Sequence, residues 1–319
     1  MTDPTCDAGL IAGARYILAA LVAATLLAPS SHAQDMMDHA HHDMDMPMGD
    51  SLMWRMPPMD MSMPMMPGMD GRIPVVGPFL PGEGMDLSMF EPARPMEVVE
   101  MADGDTLHLE ASLVRRSIGG QEFVMMGYNG MYPGPMIRAK KDAEVVVEFT
   151  NNIRMPTTVH WHGLRLDNAF DGVPFVTQDP VENGESFTYE LKFPDTGMYW
   201  YHPHMREDVQ QDLGLYGNML VDPKDDGFYA PVNREATLIL DDILMDRNGL
   251  IPFGESAPTH ALMGRFGNVM LTNGVTNYRL EARAGEVVRF YLTNVANSRT
   301  FNVVFDGAPI KIIADDVSK

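Results

Sequence analysis

The segment MYWYHPHM, residues 198–205, places two histidines two positions apart behind a run of aromatic residues. Side chains at positions i and i+2 of an extended strand point to the same side. His202 and His204 are therefore expected to present two imidazoles in one direction. The segment TVHWHGLRL repeats this arrangement upstream, with His160 and His162 on either side of a tryptophan. Two such pairs in one chain predict a shared metal site.

The sequence around these pairs predicts an all-β fold of β-sandwiches. From about Pro95 onwards, short apolar or alternating runs are separated by turn-forming segments such as NGMYPGP and DNAFDGVP, a pattern typical of sandwiches. The predicted strands cover residues 106–114, 144–149, 157–161, 187–191, 198–201, 218–221, 236–240, 278–282, 287–292, 300–305 and 310–313.

These runs predict two sandwich domains joined by a linker. The first domain is assigned to residues 93–223, the linker to 224–235 and the second domain to 236–319. The second domain contains fewer strands than the roughly seven that a sandwich of this kind needs. We therefore expect it to be incomplete and the chain to be the N-terminal part of a longer protein.

The first 33 residues are typical of a signal peptide for export to the periplasm or the medium. An apolar run, Tyr16–Ala28, follows a single arginine, and the small residues Ser31 and Ala33 precede a predicted cleavage site. The run is short for a membrane span, although a membrane anchor is the alternative reading. The only cysteine of the chain, Cys6, lies in this segment, so the exported chain has no disulfide and no thiolate metal ligand.

Composition narrows the range of partners. The 319 residues carry a formal net charge of -21 and a pI near 4.7, which argues against binding to nucleic acid or an anionic membrane surface and favours cations. Residues 34–92 are rich in Met, His, Asp and Pro and are predicted to be disordered. No later run is long enough for a transmembrane helix, so no membrane span is expected in the mature chain.

The residues around the histidine pairs resemble those of the multicopper oxidases, especially the laccase-like and bacterial copper-resistance members. The resemblance rests on YNGMYPGPMIRAKKDAEVVVEFTNN, TTVHWHGLRLDNAFDGVP, TQDPVENGESFTYELKFPDTGMYWYHPHM and QDLGLYGNMLVDP in this order. It extends from about Pro95 to Lys319. It implies cupredoxin-like, plastocyanin-like Greek-key domains and a copper cofactor.

The same resemblance implies a role for each histidine of the two pairs. His160 is expected to bind the type 2 copper of a trinuclear cluster, and His162, His202 and His204 the type 3 pair. The remaining ligands, and the cysteine that binds the type 1 copper, lie in a C-terminal domain of the family and are absent from this sequence. We therefore expect the chain to be inactive alone. Asp171 is expected either to relay protons to the cluster or to be an ordinary turn residue.

The resemblance also implies the reaction and its partners. Multicopper oxidases couple one-electron oxidation of a donor to four-electron reduction of dioxygen to water, and the expected donors are phenols or cuprous ion. Thioether sulfur is a soft ligand that selects cuprous ion, so the Met-rich segment is predicted to hold accessory copper. The candidate ligands of this accessory site are His39, His41, His42, Met44, Met46, Met48, Met61, Met63, Met65 and Met66.

Two other functions agree with part of the sequence, and a third does not. A copper nitrite reductase carries its type 1 cysteine in the first sandwich, next to a histidine, and this chain has Pro203 in the equivalent stretch, which argues against that function. A non-catalytic copper-binding or copper-tolerance protein would use the Met-rich segment and the sandwich without oxygen chemistry. A purely structural sandwich would bind zinc at the histidines incidentally.

Both tryptophans beside the histidines, Trp161 and Trp200, are predicted to point away from the imidazoles into the core.

Overall fold

A computed structural model describes residues 78–315. The predicted signal peptide and accessory copper ligands lie outside these residues. Within them, the helices α1 (Glu207–Gln210) and α2 (Ala257–Met263) are short and strands dominate. The strands are β1 (Val98–Met101), β2 (Thr106–Ile118), β3 (Gln121–Tyr128), β4 (Met136–Lys140), β5 (Glu144–Asn152), β6 (His160–His162), β7 (Ser186–Lys192), β8 (Gly197–His202), β9 (Gly217–Asp222), β10 (Arg234–Ile243), β11 (Met245–Asp246), β12 (Gly249–Leu250), β13 (Val269–Thr272) and β14 (Val288–Asn294).

Strands β1 to β9 form two sheets that face each other. A four-stranded sheet has the order β3-β2-β5-β7, and a five-stranded sheet has the order β1-β4-β9-β8-β6. Burial alternates along β2 and β5, as expected for strands with one face on a core. Aromatic side chains join the sheets: Tyr128 lies 5.3 Å from Tyr201, and Trp161 lies 5.4 Å from Tyr189, between ring centroids. The prediction of a cupredoxin-like, all-β fold is confirmed, whereas the Greek-key connection stays a prediction.

The second group of strands forms smaller sheets. β10 is the central strand of a three-stranded sheet between β13 and β14, and β11 pairs with β12. β10 begins at Arg234, inside the predicted linker 224–235. The division into domains otherwise stays a prediction.

Three predicted strands of the second group are wrong in the described structure. Residues 278–282, 300–305 and 310–313 contain no strand. Val304 and Ile312 in the last two segments are 73% and 83% exposed. Their apolar pattern is that of a strand, but a strand forms only where a neighbouring strand satisfies its backbone hydrogen bonds.

Residues 78–92, which the prediction assigned to a disordered segment, contact the folded part of the chain. Phe79 is 2% exposed and exchanges two backbone hydrogen bonds with Phe253. Pro92 forms a bridge with Arg115 of β2. The prediction missed these contacts because the stretch follows the methionine-rich sequence and was assigned to the same segment.

Polar contacts connect the two groups of strands. Asn218 of β9 donates a hydrogen bond to the hydroxyl of Thr293 in β14, and Gln211 donates to the carbonyl oxygen of Val295. All four of these residues are buried, so both groups share a packed interface. No helix within residues 78–315 has the length and apolar character needed to cross a membrane.

Candidate metal centre

The histidine pairs lie on two neighbouring strands at one edge of the five-stranded sheet. β6 is the edge strand and pairs antiparallel with β8, which places His160 opposite His202 and His162 opposite Trp200. Residues directly opposite each other in an antiparallel pair project to the same face. β8 ends at His202, and His204 follows in a bend.

The structure brings all four imidazole rings together. The ring centroid of His160 lies 4.7 Å from that of His204, 5.4 Å from that of His202 and 5.5 Å from that of His162. One ring nitrogen from each of His160, His162 and His202 lies within 4.8 Å of the other two, a spacing suitable for metal binding. His204 is outside this group of three, but its ring contacts those of His160 and His202.

The segment after β8 is held in place by buried side chains of α1. Gln210 accepts a hydrogen bond from the hydroxyl of Thr157 at 2.7 Å and donates one to the carbonyl oxygen of Pro156 at 2.9 Å. The backbone N–H of His204 donates to the hydroxyl of Thr158 at 3.4 Å. Residues 156–158 lead directly into β6, so these bonds tie His204 to the strand that carries the other histidine pair.

Hydrogen bonds at the Nδ1 atoms fix which nitrogen faces the centre of the cluster. His160 Nδ1 lies 2.7 Å from the carbonyl oxygen of Asp171, and His202 Nδ1 lies 2.9 Å from that of Pro203. His204 Nδ1 lies 2.9 Å from Glu207 Oε1. Carbonyl and carboxylate oxygens only accept, so each Nδ1 carries the proton and each neutral ring keeps its lone pair on Nε2.

His162 has a different orientation from the other three histidines. Its Nδ1 lies 3.4 Å from Nε2 of His202. Since Nε2 is the nitrogen that His202 offers to a ligand, His162 directs Nδ1 towards the same point. The cluster therefore combines Nε2 and Nδ1 donors.

Burial favours the neutral, ligand-competent form of two of these rings. His202 is 4% exposed, and desolvation lowers its pKa to about 3 against the opposing effect of the Pro203 carbonyl. Desolvation also lowers the pKa of His160, although the hydrogen bond to the Asp171 carbonyl and the Asp171 carboxylate act in the opposite direction. A neutral imidazole is the form that binds a metal ion.

Asp171 approaches the cluster because the loop after the 3₁₀ turn Asn168–Phe170 packs tightly on β6. The next residue, Gly172, has φ +76°, and a Cβ there would lie 1.9 Å from the carbonyl oxygen of Val159. Only glycine fits this close approach. The carboxylate of Asp171 lies 3.4 Å from His160 Nδ1, so both its main chain and its side chain face that ring.

The two tryptophans differ in position, although both were predicted to pack in the core. Trp161 is fully buried there, as predicted. The prediction for Trp200 is wrong: its ring stacks on His202 at 4.1 Å and contacts His162 at 5.1 Å. Trp200 precedes His202 by two positions and lies opposite His162 across the ladder, so strand geometry places it on the imidazole face.

The other described histidines lie apart from the cluster. His108 is 80% exposed in its side chain and contacts Glu148 across the β2–β5 ladder, and His260 lies in α2. The sequence reasoning missed Glu207 and Trp200 at the site. Trp200 could have been found from the sequence, because it precedes His202 by two positions in the same strand. For the contact between Glu207 and His204, the only signal in the sequence is their separation by three residues.

This chain is similar in sequence to known multicopper oxidases. Residues 112–226 match the family described as multicopper oxidase. The multicopper oxidase MmcO of Mycobacterium tuberculosis is 30% identical over 241 residues, which cover 66% of this chain and 46% of that protein. Copper resistance protein A of Pseudomonas syringae pv. tomato is 30% identical over 46% of this chain and 24% of that protein.

A solved structure gives the same result for the fold. The crystal structure of a multicopper oxidase from Pseudomonas thermotolerans superimposes with a TM-score of 0.57 and 33% identity, covering 64% of this chain and 48% of that one. This chain therefore spans less than half of these relatives. The matched residues 112–226 include the strands that carry the histidine cluster. Over the part that these matches cover, the chain belongs to the multicopper oxidase family, whose cofactor is copper.

Proposed function

We propose that this chain supplies half of the ligands of a trinuclear copper site in a laccase-like or copper-resistance oxidase. The observation that carries the proposal is the convergence of four imidazoles at one sheet edge, enforced by the β6–β8 register. The other ligands, and a type 1 copper site that receives electrons from the donor, would be supplied by polypeptide outside residues 1–319. The chain by itself is expected to bind copper without reducing oxygen.

The donor set fits copper. Imidazole-only ligation is suited to copper, zinc, iron and nickel, and membership of the multicopper oxidase family favours copper among these. The buried His202 stays neutral over the physiological pH range because its pKa is about 3. The carbonyl and carboxylate partners at Nδ1 of His160, His202 and His204 hold the rings in the orientation that a bound ion requires.

The proposed roles of the four ligands follow the resemblance of the motifs. His160 is assigned to the type 2 copper, and His162, His202 and His204 to the type 3 pair. Copper bound there would supply one-electron redox chemistry and the reduction of dioxygen, which amino-acid side chains cannot perform. The contribution of the chain is to bind and orient the ions, and the stacked ring of Trp200 shields one side of His202 from water.

Asp171 has two proposed tasks at this site. Its carbonyl oxygen orients the His160 ring, and its carboxylate is 33% exposed and lies 3.4 Å from Nδ1 of that ring. Such a position suits a group that passes protons to oxygen during its reduction. In an enzyme with the complete ligand set, Asp171→Asn is expected to slow turnover and to leave copper content unchanged. Unchanged turnover would remove the relay role.

The proposed electron donors are phenols or cuprous ion. The similarity to copper resistance protein A and the Met-rich segment both favour a role in copper tolerance. A non-catalytic copper-binding protein is the alternative function. Oxygen uptake in the presence of a phenol, measured on an assembly with the complete ligand set, separates the two: copper binding without oxygen uptake would favour the alternative.

The metal assignment itself is tested on the purified chain. Copper content after gel filtration is measured for the wild type, for His202→Ala and for the control His108→Ala, which removes an exposed histidine outside the cluster. We expect His202→Ala to lose most of the bound copper and His108→Ala to retain it. Equal loss from both variants, or retention of zinc in preference to copper, would contradict the proposal.

A further inference from the structure

A cavity of about 410 Å³ lies between the two groups of strands, away from the histidine cluster. One wall is formed by residues 115–119 of β2 and the following turn, together with residues 92–95. The opposite wall is the loop of residues 273–277 that follows β13. Three arginines and one glutamate are the charged residues in this lining: Arg94, Arg115, Arg116 and Glu122. A basic pocket is unusual in a chain with a net charge of -21.

Arg116 is a buried cation without a carboxylate partner. It is 7% exposed, and within residues 78–315 no acidic oxygen forms an ion pair with it. Its guanidinium stacks on the ring of Tyr132 at 3.5 Å and donates one hydrogen bond to the carbonyl oxygen of Gly274. The buried carboxylate of Asp241 accepts hydrogen bonds from the hydroxyls of Tyr132 and Tyr216. A buried charge without a counter-ion is costly.

The neighbouring arginines add donor capacity. Nε of Arg115 is buried and has no hydrogen-bond partner within the described residues, and Nη1 reaches Glu122 only at 3.5 Å. Arg94 at the cavity rim is already paired with Glu97 at 2.8 Å and with the carbonyl oxygen of Asn129. Arg116 is therefore the cation of this lining without an ion pair in the described residues, and Arg115 adds one N–H donor beside it.

The loop opposite these arginines is shaped for a close approach. Gly274 has φ +77°, and a Cβ there would lie 2.9 Å from Cδ1 of Tyr132 and 3.2 Å from Nη1 of Arg116. Glycine thus allows the backbone to contact the guanidinium while the space beside it stays open.

We propose that this cavity binds a small oxyanion, a carboxylate or phosphate group, with Arg116 as its principal contact. The planar guanidinium presents parallel N–H donors that match the oxygens of either group. The anion would neutralise the buried charge and would touch both groups of strands, so its binding would strengthen the interface between them. The site is independent of copper.

The proposal is tested by calorimetric titration of the full chain, with and without copper, using sodium phosphate, sodium acetate and sodium chloride at matched ionic strength. Saturable binding of phosphate, acetate or both is expected, with none for chloride, and the stronger of the two identifies the preferred group. Arg116→Gln is expected to weaken binding by about tenfold or more, because a hydrogen bond to a charged group is lost. The control Arg165→Gln removes an exposed arginine paired with Asp195 outside the cavity and is expected to bind like the wild type.

Absence of saturable binding, or equal affinity of Arg116→Gln and the wild type, would overturn the proposal, as would equal weakening by Arg165→Gln. Should Arg116→Gln fail to fold, hydrogen exchange of the wild type provides the decision. Phosphate or acetate should slow exchange in peptides that cover residues 115–119 and 273–277. Uniform slowing across the chain, or none, would refute the site.

Discussion

The contact between Glu207 and His204 predicts a specific loss of copper affinity. Glu207 Oε1 lies 2.9 Å from Nδ1 of His204 and is the only side-chain carboxylate within hydrogen-bonding distance of that ring in the described residues. Replacing Glu207 with Ala removes both the acceptor and its negative charge. The His204 ring then loses the partner that fixes its rotation and its tautomer.

The expected magnitude follows from the exposure of the pair. Removing a hydrogen-bonded partner of a metal-binding histidine typically weakens metal affinity by about 10- to 100-fold. The side chain of Glu207 is 43% exposed and that of His204 is 32% exposed, so water screens the charge and replaces part of the lost contact. We therefore expect a value near the lower end, about tenfold. Glu207→Gln keeps an acceptor and is expected to have an intermediate affinity.

The chain contains its own reporter and its own control for this measurement. Trp200 stacks on the neighbouring His202, so bound copper is expected to quench its fluorescence in a titration against a chelator of known affinity. Asp208→Ala removes the same charge one position further along, where the carboxylate pairs with Arg206 and not with a histidine. An Asp208→Ala affinity as low as that of Glu207→Ala would show a general charge effect and refute the role of the bond. Wild-type affinity in Glu207→Ala would refute it equally.

Three further predictions follow from other contacts. Trp200→Ala is expected to weaken copper binding by about two- to tenfold, the contribution of an aromatic stack. Trp200→Phe should keep most of the affinity because it preserves the stack on His202. Equal loss of affinity in the two variants, measured by chelator titration, would contradict this. Gly172→Ala is expected to lower the free energy of unfolding, measured in urea, by at least about 2 kcal/mol, because the added Cβ overlaps a backbone carbonyl oxygen. The control Gly184→Ala has a similar φ but open space around the added Cβ, so its free energy of unfolding should fall clearly less. Burial raises the pKa of Asp241 from 3.8 to about 7, so between these pH values the folded state binds a proton that the unfolded state releases, and stability falls as the pH rises. Asp241→Asn should therefore show a smaller decrease in melting temperature between pH 5 and pH 8 than the wild type. An equal decrease in both would exclude this carboxyl as a source of the pH dependence.

Strands of the first group could be predicted where local pattern and tertiary environment agree. β2 and β5 alternate between buried and exposed residues, which is the pattern that the sequence displays. The two His-x-His pairs were informative for the same reason, since a strand leaves only two directions for a side chain. The pairing of β6 with β8 then converts two local patterns into one cluster.

The elements that were mispredicted depend on contacts distant in sequence. Residues 300–305 have strand-like composition, but Val304 is 73% exposed and no neighbouring strand pairs with this segment in the described structure. Phe79 lies in a stretch that reads as low complexity, yet Phe253 supplies it with a partner. Glu207 was missed because its contact depends on the bend after β8, and the sequence does not specify that geometry.

The exposure of the four histidines varies in a way that bears on how the copper site is completed. His202 is 4% exposed, the side chains of His160 and His204 are 16% and 32% exposed, and His162 is exposed. The rings therefore form one wall, closed towards the sandwich core and open on the opposite side. Copper held by this wall alone would remain in contact with water, whereas reduction of oxygen requires an enclosed site that excludes side reactions. In the proposed cluster, this open side is the surface on which the remaining ligands would pack. Substitutions that add a bulky or charged side chain there are therefore expected to impair oxygen reduction before they impair folding.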